Sequence, residues 1–334
     1  VAFVHAWSQG DGRRRHVLAW VAALLTGTAN DMTFMALPFV DNFWQAQATV
    51  MLTPRMPLYI PCVYVCFLYV PTVSVWRANL SPLSRAALTG LAAGLFYAPY
   101  DIVGARYLWW TWHHTDPAIS NRILGAPVGS TMFVIAIAAA FSWLLGRAVD
   151  RDRCASARTR AKALALTCGL STLLMTLQVS ALRAVDGSVP GVRGLAVLVA
   201  LFAVVAWRGL RRAPAPEPRS TDRSFRAALL VYFASFVAIA ATFDPSNHRS
   251  TSLHQTYGPC HVQATDFTGA TRDRFACAGD ADRDYSFDCE ATLPADGADW
   301  YTVCGRPYPN RALWLGALTL LGGLGALLYS RLLV

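Results

Sequence analysis

Long apolar blocks separated by shorter polar segments dominate the pattern of this sequence. Most blocks have the roughly 20 residues that a helix needs to cross the hydrocarbon core of a membrane. The sixth and seventh blocks are short, and we expect their helices to extend into the flanking residues. The pattern predicts an all-α integral membrane protein with about eight transmembrane helices, at residues 17–39, 56–76, 84–106, 124–146, 161–183, 192–208, 227–243 and 312–333.

The composition favours a membrane protein over a soluble one. Only 15% of the 334 residues are charged, whereas soluble domains have roughly 25%. The net charge is +9, but the arginines lie beside the apolar blocks, which is typical of membrane orientation and not of nucleic-acid binding. We therefore expect membrane lipids as partners and no nucleic acid. The sequence does not indicate an oligomeric state.

Basic residues fall on one side of the predicted bundle. They concentrate before helix 1, in the loops that follow helices 2, 4 and 6, and at the C-terminal end. An eight-helix count places these five segments on the same side of the membrane. The positive-inside rule then predicts that both termini are cytoplasmic. The predicted location is the plasma (inner) membrane.

The segment 244–310 differs from the rest of the chain because it is polar and contains four cysteines. The predicted topology places it outside, where an even number of cysteines indicates two disulfides. Four cysteines permit three pairings, and the sequence does not choose among them. The predicted domains are helices 1–7 in residues 1–243, an extracytoplasmic disulfide-stapled cap in 244–310 and helix 8 in 311–334. The disulfide candidates are Cys260, Cys277, Cys289 and Cys304.

Ionisable residues inside the predicted helices are the first candidates for function, because a charge within the membrane is costly. Two predicted helices carry such residues in their outer halves, and the polar segments that follow these helices lie on the same side. We therefore expect one cavity at the outer leaflet. Its acid/base candidates are Asp31, Asp41, Asp101 and His114, and its substrate-binding candidates are Asn42, Trp44, Gln45, Arg55, Tyr100, Arg106, Trp109, Trp110, Trp112, His113 and Asp116.

Each of these groups also has a structural interpretation. The tryptophans after helix 3 fit an interfacial aromatic belt, and the two histidines that follow them fit a solvated loop. Arg106 is expected to pair with Asp31 or Asp101, which would leave the other acid free to act. The seven histidines are too few for a His-rich di-iron centre. A single metal on Asp41, His114 and Asp116 is an alternative, but we assign no metal ligand and the cofactor is unknown.

Four motifs resemble an uncharacterised multi-pass membrane family. They are D-N-F-W-Q-A-Q at Asp41–Gln47, P-R-M-P-L-Y-I at Pro54–Ile60, the run from Tyr100 to Pro117 and W-Y-T-V-C-G at Trp300–Gly305. The resemblance covers most of the chain. It implies an eight-helix architecture with a cysteine-bearing loop, and it implies no activity.

A second similarity is to the membrane carotenoid hydratases and lycopene cyclase-like proteins. It rests on the order of Asp101, Gly104, Trp110, Trp112 and the segment Gly125–Pro127. This similarity implies that a buried carboxylic acid protonates an isoprenoid double bond. Tryptophan rings would then stabilise the carbocation.

Three function classes follow from these observations. The leading hypothesis is an integral-membrane enzyme that does acid/base chemistry on a lipophilic, isoprenoid or lipid-like small molecule at the outer leaflet. The alternatives are a transporter or receptor that binds a small ligand or protons in the same cavity, and a structural membrane scaffold. Whether the chain is an enzyme stays open at this point, because no P-loop, G-x-S-x-G or H-E-x-x-H motif occurs.

Overall fold

The structure is a computed structural model that describes residues 1–37, 42–149, 156–213, 220–280 and 282–333. Helices dominate it, and short strands occupy one end. The α-helices of these residues are α1 Ala2–Trp7, α2 Arg13–Ala36, α3 Tyr59–Val75, α4 Pro82–Arg106, α5 Val128–Val149, α6 Ala157–Arg183, α7 Val192–Leu210, α8 Ser220–Thr242 and α9 Arg311–Leu332.

Seven of the described helices, α3 to α9, are long and apolar enough to cross a membrane. The expected first spanning helix also forms, as the 24-residue α2, but it is not among these seven. Asn30 and Asp31 near its C-terminal end lower its mean hydropathy. The two blocks that were too short in sequence extend as expected, because α7 has 19 residues and α8 has 23.

Short polar side chains cap the first turn of three helices, namely Ser81 before α4, Ser156 before α6 and Asn310 before α9. The Ser81 side chain accepts a hydrogen bond from the backbone of Ser84 at the start of α4, and Pro82 occupies the first helical position. Asn310 caps α9 by accepting from the backbone N–H of Leu313 at 3.1 Å. Such caps satisfy backbone donors that have no partner within the helix, so these boundaries are encoded locally.

Helices α4 and α5 form the centre of the bundle. In the most apolar part of α5, 78% of the residues are buried, compared with 17% in α7. The outer helices therefore direct large apolar side chains such as Leu201, Val231 and Leu320 away from the protein. A helix that is apolar on both its buried and its exposed face fits a lipid environment and not water.

The two ends of the bundle differ in character. At one end, Arg77 pairs with Asp222 at the start of α8, and Arg226 donates to the Leu333 carbonyl at 3.4 Å. The His5 ring lies 3.8 Å from Asp222, so both chain termini lie at this end. The strands and disulfides lie at the opposite end.

A three-stranded antiparallel sheet organises the segment between α8 and α9, with the strand Trp300–Gly305 between Tyr285–Ser286 and Arg249–Leu253. A hairpin of Gln263–Thr265 and Thr271–Asp273 extends from it. The two disulfides are Cys260–Cys277 and Cys289–Cys304, which confirms the predicted bonds and resolves their pairing. They indicate an oxidising, extracytoplasmic segment. The strands of this cap are β7 Arg249–Leu253, β8 Gln263–Thr265, β9 Thr271–Asp273, β10 Tyr285–Ser286 and β11 Trp300–Gly305.

Short strands from the helix connections complete this end. The strand after α2 pairs with the strand after α4, with Trp44 opposite Thr111. The first of these strands also reaches the cap, because the Gln47 N–H donates to the Thr251 carbonyl at 2.9 Å. These strands are β1 Phe43–Gln45, β2 Met51–Thr53, β3 Met56–Pro57, β4 Trp110–Trp112, β5 Arg122–Ile123 and β6 Ala126–Pro127.

Candidate functional site

A cavity lies between α2, α3, α4, α5 and α6, directly beneath β1 and β4. Its volume is about 160 Å³. An apolar cavity of about 150 Å³ is large enough to bind benzene, so there is room here for an apolar group of similar size. Its walls are mostly aliphatic and aromatic, and its polar lining residues are Asn30, Asp31, Asn42, Gln45, Tyr64, Tyr97, Tyr100 and Ser130.

Asp31 contributes a buried carboxylate to this cavity. The Tyr64 hydroxyl on α3 donates to Asp31 Oδ1 at 3.0 Å. The other oxygen, Oδ2, is buried and makes no hydrogen bond within the described residues. Next to it, Asn30 Oδ1 accepts a hydrogen bond from the Thr172 hydroxyl of α6 at 3.1 Å. The end of α2 is therefore tied to two neighbouring helices through adjacent polar residues.

Asp101 is the second buried acid, and it lies behind the wall of the cavity. Its side chain is fully buried, and the Ser130 hydroxyl donates to its Oδ2. Tyr97 and Trp110 lie beside the same carboxyl. Asp101 Oδ1 makes no hydrogen bond within the described part of the chain. Of the two acids, Asp31 lines the cavity and Asp101 reaches it only through its contact with Ser130.

Aromatic rings form much of the cavity wall. The Tyr100 ring lies 5.1 Å from Phe67 and 5.0 Å from Trp110. Trp110 packs directly on Gly104, where a Cβ atom would overlap the indole ring. A residue without a side chain at position 104 is therefore required for Trp110 to reach the cavity.

The pairing of β1 with β4 positions the outer rim of the cavity. Asn42, Gln45 and Trp112 line the cavity from these segments. Arg55 supports the rim from below by donating to the Phe43 carbonyl at 3.1 Å. Of the substrate-binding candidates, Asn42, Gln45, Tyr100, Trp110 and Trp112 therefore line the cavity.

Other predicted site residues lie outside this cavity. Arg106 donates to the Pro307 carbonyl and lies over the Trp314 ring, so the expected pairing with Asp31 or Asp101 is replaced by contacts to the start of α9. Trp109 belongs to a neighbouring pocket under β7. Trp109 lines a different pocket from Trp110 and Trp112, as expected from the alternation of side chains along an extended segment.

The remaining described candidates contact other parts of the fold and do not line the cavity. Trp44 packs near the His113 ring at 6.1 Å, and the His113 N–H donates to the Asn42 carbonyl at 2.8 Å. Asp116 caps a short 3₁₀ turn through the Ala118 N–H at 2.8 Å. Its other oxygen pairs with Arg272 of β9 at 2.6 Å. Asp41 lies outside the described residues.

His113 and His114 stack with ring centroids 5.8 Å apart. Burial, and to a smaller extent the neighbouring His114, lower the pKa of His113 to about 3. Burial also lowers the pKa of His114, with a further contribution from Arg283. Both rings are therefore neutral near pH 7. His114 faces Asp273 and Asp280 of the cap, and not the cavity.

Tyr64, Ser130 and Thr172 are the polar contacts that sequence reasoning missed. Each is an ordinary hydroxyl residue within a helix and has no neighbouring motif. Only their partners could have identified them, since the buried polar groups Asp31, Asp101 and Asn30 need hydrogen-bond donors from adjacent helices. Which helix supplies the donor depends on helix packing, which the sequence pattern does not determine.

A family model described as "Domain of unknown function (DUF7802)" matches residues 1–329. The chain belongs to the DUF7802 family. This confirms the resemblance to an uncharacterised membrane family. No curated protein and no solved structure matches the chain, so the similarity to carotenoid hydratases stays a hypothesis. The DUF7802 match spans both the helices and the cap, and it brings no activity with it.

Proposed function

We propose that this DUF7802 chain is an integral-membrane enzyme that does acid/base chemistry on a lipophilic substrate. One observation carries the proposal. Asp31 lines an apolar cavity and Asp101 lies behind its wall at Ser130, and each keeps one buried carboxylate oxygen without a hydrogen bond to a described residue. Buried polar atoms without a partner are rare and costly. Two acids with such atoms, one lining the cavity and one behind its wall, support proton exchange with a bound group.

The cavity walls define the substrate class. Phe67, Tyr100, Trp110 and Trp112 line the cavity, which favours an isoprenoid or lipid-like chain. Ring faces also stabilise positive charge that develops on carbon. A substrate hydroxyl or double bond held between the rings would lie beside one of the two acids. The amide groups of Asn42 and Gln45 would orient a polar group at the rim.

The two acids have different surroundings, which suggests different roles. Asp31 lines the cavity and accepts a hydrogen bond from Tyr64, so it is the candidate for direct proton transfer. Asp101 contacts the cavity through Ser130. It is therefore the candidate for holding a second proton while Asp31 transfers the first. Asp41 stays a candidate from sequence alone. His114 is not part of this proposal because it faces the cap.

The proposed orientation places the cavity at the outer leaflet. The Arg-rich ends of the helices lie opposite the disulfide cap, and the positive-inside rule assigns such an end to the cytoplasm. Both termini would then be cytoplasmic, in a plasma (inner) membrane. A substrate would enter from the outer leaflet beneath β1 and β4.

Comparison of lipid extracts tests the proposed reaction. Membranes containing wild-type protein, D31N, D101N or the control D288N are extracted and analysed by mass spectrometry; Asp288 is an exposed acid of the cap. We expect wild type and D288N to convert a lipid that accumulates with D31N and D101N. Identical extracts from all four would refute an enzyme. A lipid that co-purifies unchanged with wild type and is lost from D31N would instead identify a transporter or receptor.

A further inference from the structure

We propose that His114, Asp273 and Asp280 form a binding site for one divalent transition-metal ion in the cap. One nitrogen and two carboxylate oxygens from these residues all lie within 4.8 Å of one another. His114 Nε2 lies 3.9 Å from Asp273 Oδ2 and contacts Asp280 directly. Ligand atoms of a tetrahedral zinc ion are about 3.4 Å apart, so the three atoms need only small shifts to share an ion.

The state of the His114 imidazole is the second observation that points to a ligand. Its side chain is only 6% exposed. Its Nδ1 is buried and makes no hydrogen bond to a described residue, and Nε2 contacts the carboxylate of Asp280. A buried imidazole normally donates through one nitrogen and accepts through the other. Here Nε2 is directed at two carboxylates, which is how a metal-binding histidine is presented.

The local charge also favours a cation. Asp273 and Asp280 bring two negative charges into a largely buried space, with side chains only 11% and 8% exposed. Arg283 lies 3.6 Å from Asp280 and offsets one of these charges. For Asp273, ring nitrogens of His114 and His261 each lie 3.9 Å away. Two carboxylates therefore face one guanidinium in this cluster.

The chain holds these three residues together from two directions. Asp273 ends β9, and the Cys260–Cys277 disulfide closes the loop that contains β8 and β9. His114 comes from the bundle, directly after β4. The Asp273 N–H donates to the Thr115 hydroxyl at 2.8 Å, which fixes the bundle segment beside β9. A bound ion would therefore cross-link the cap to the strand that lines the cavity.

The donor set defines the class of metal. An imidazole favours zinc and other late first-row ions over calcium or magnesium, and two carboxylates are compatible with zinc and manganese. Three protein ligands leave a fourth position for water or for His261, whose ring is 75% exposed. Zn²⁺ is therefore the first probe, with Mn²⁺ and Ca²⁺ for comparison.

Metal content of the purified full-length protein tests the site. The protein in detergent is stripped with a chelator, loaded with Zn²⁺, desalted and measured by mass spectrometry for metals. We expect about one Zn²⁺ per chain in wild type and in the control D288N. In H114Q and D273N we expect affinity to fall by at least about tenfold, since even changes to residues behind a ligand cost that much. Ca²⁺ should not compete at equal concentration.

Two results would overturn the proposal. Wild-type protein that retains no Zn²⁺ would show that the cluster is only a network of ion pairs around Arg283. Equal Zn²⁺ binding by wild type, H114Q and D273N would place the ion elsewhere. Substitution with Co²⁺ provides a check on the ligands, because its visible spectrum should show nitrogen and oxygen donors and no thiolate band. Neither result depends on the reaction proposed for the cavity.

Discussion

The Tyr64 hydroxyl on α3 donates a 3.0 Å hydrogen bond to the Asp31 carboxylate on α2. This contact is possible because α2 approaches α3 closely at Gly27, where a Cβ atom would overlap Tyr64. A small residue and a polar residue one turn apart thus define how the two helices pack. Close approach of this kind is a common basis of helix association in membranes.

Tyr64→Phe should lower the free energy of unfolding by about 1–3 kcal/mol, because it leaves Asp31 Oδ1 buried without its donor. Tyr329→Phe is the matched control, since Tyr329 donates to the neutral Ala92 carbonyl at 3.0 Å. Its loss should be smaller, at about 0.5–1.5 kcal/mol. Thermal unfolding in detergent measures both. Equal losses would argue that Asp31 carries no charge that the Tyr64 hydroxyl stabilises.

Gly104→Ala should displace the Trp110 ring and destabilise the protein by about 1–3 kcal/mol, the usual cost of overpacking. Gly323→Ala in α9 is the control, because no atom lies within 4 Å of an added Cβ atom there. Alanine in an open helical position should be neutral or stabilise the helix by up to about 1 kcal/mol. Tryptophan fluorescence should shift only in the first variant. An unchanged spectrum and melting temperature for Gly104→Ala would contradict the packing described.

The helices could be predicted from sequence because their signal is local. A block such as Val128–Val149 has both the length and the hydropathy of a membrane span, and no distant residue is needed to recognise it. The first helix is less clear, since Asn30 and Asp31 reduce its hydropathy. The gathering of polar groups at one end of the bundle was also predictable, because it follows from counting helices.

The details of the site could not be predicted because they depend on contacts between distant segments. Strands β1 and β4 are three residues each and lie more than 60 positions apart, so neither has a pattern that reveals its partner. Arg106 lies at the cap end of α4, yet it donates to the Pro307 carbonyl. His114 contacts Asp280 only because the cap folds over β4. Contacts between segments this far apart in the chain leave no periodic pattern in the sequence.

Both disulfides should be intact in the native protein, and alkylation without reductant should leave the four cap cysteines unmodified in mass spectra. Replacing Cys260 and Cys277 together by Ser should lower stability by about 2–4 kcal/mol, because the unfolded chain gains freedom. The Cys62→Ser variant, which alters a free cysteine, should have no comparable effect. Free thiol at Cys289 or Cys304 in wild type would contradict the pairing.

Membrane orientation can be tested by labelling single cysteines in a chain whose free cysteines are replaced by Ser. Asp288→Cys lies in the cap and Arg211→Cys at the opposite end, and both positions are exposed. An impermeant maleimide should label position 288 in intact cells and position 211 only after lysis, because positive ends stay cytoplasmic. The reverse pattern would overturn the proposed outer-leaflet site.

The cap should lose stability as the pH falls from about 6.5 to about 4, and His254 is the cause. Its ring is 2% exposed, contacts the Thr111 hydroxyl at 3.1 Å and packs 4.9 Å from the Tyr301 ring. Burial lowers the pKa of His254 to about 4, whereas an unfolded histidine titrates near 6.5.

Below pH 6.5 the unfolded state therefore binds a proton at His254 that the folded state excludes, so protonation favours unfolding until the folded ring titrates near pH 4. The contribution lost over this interval is up to about 3 kcal/mol.

Chemical unfolding of wild type and His254→Gln across this pH range, with chelator present, measures this contribution. Other buried groups also titrate, so the relevant quantity is the difference in the free energy of unfolding between wild type and His254→Gln. This difference should change with pH only between about 6.5 and about 4. His261→Gln, at an exposed ring, should follow wild type. A pH-independent difference between wild type and His254→Gln would show that the His254 ring can be protonated without cost in the folded cap.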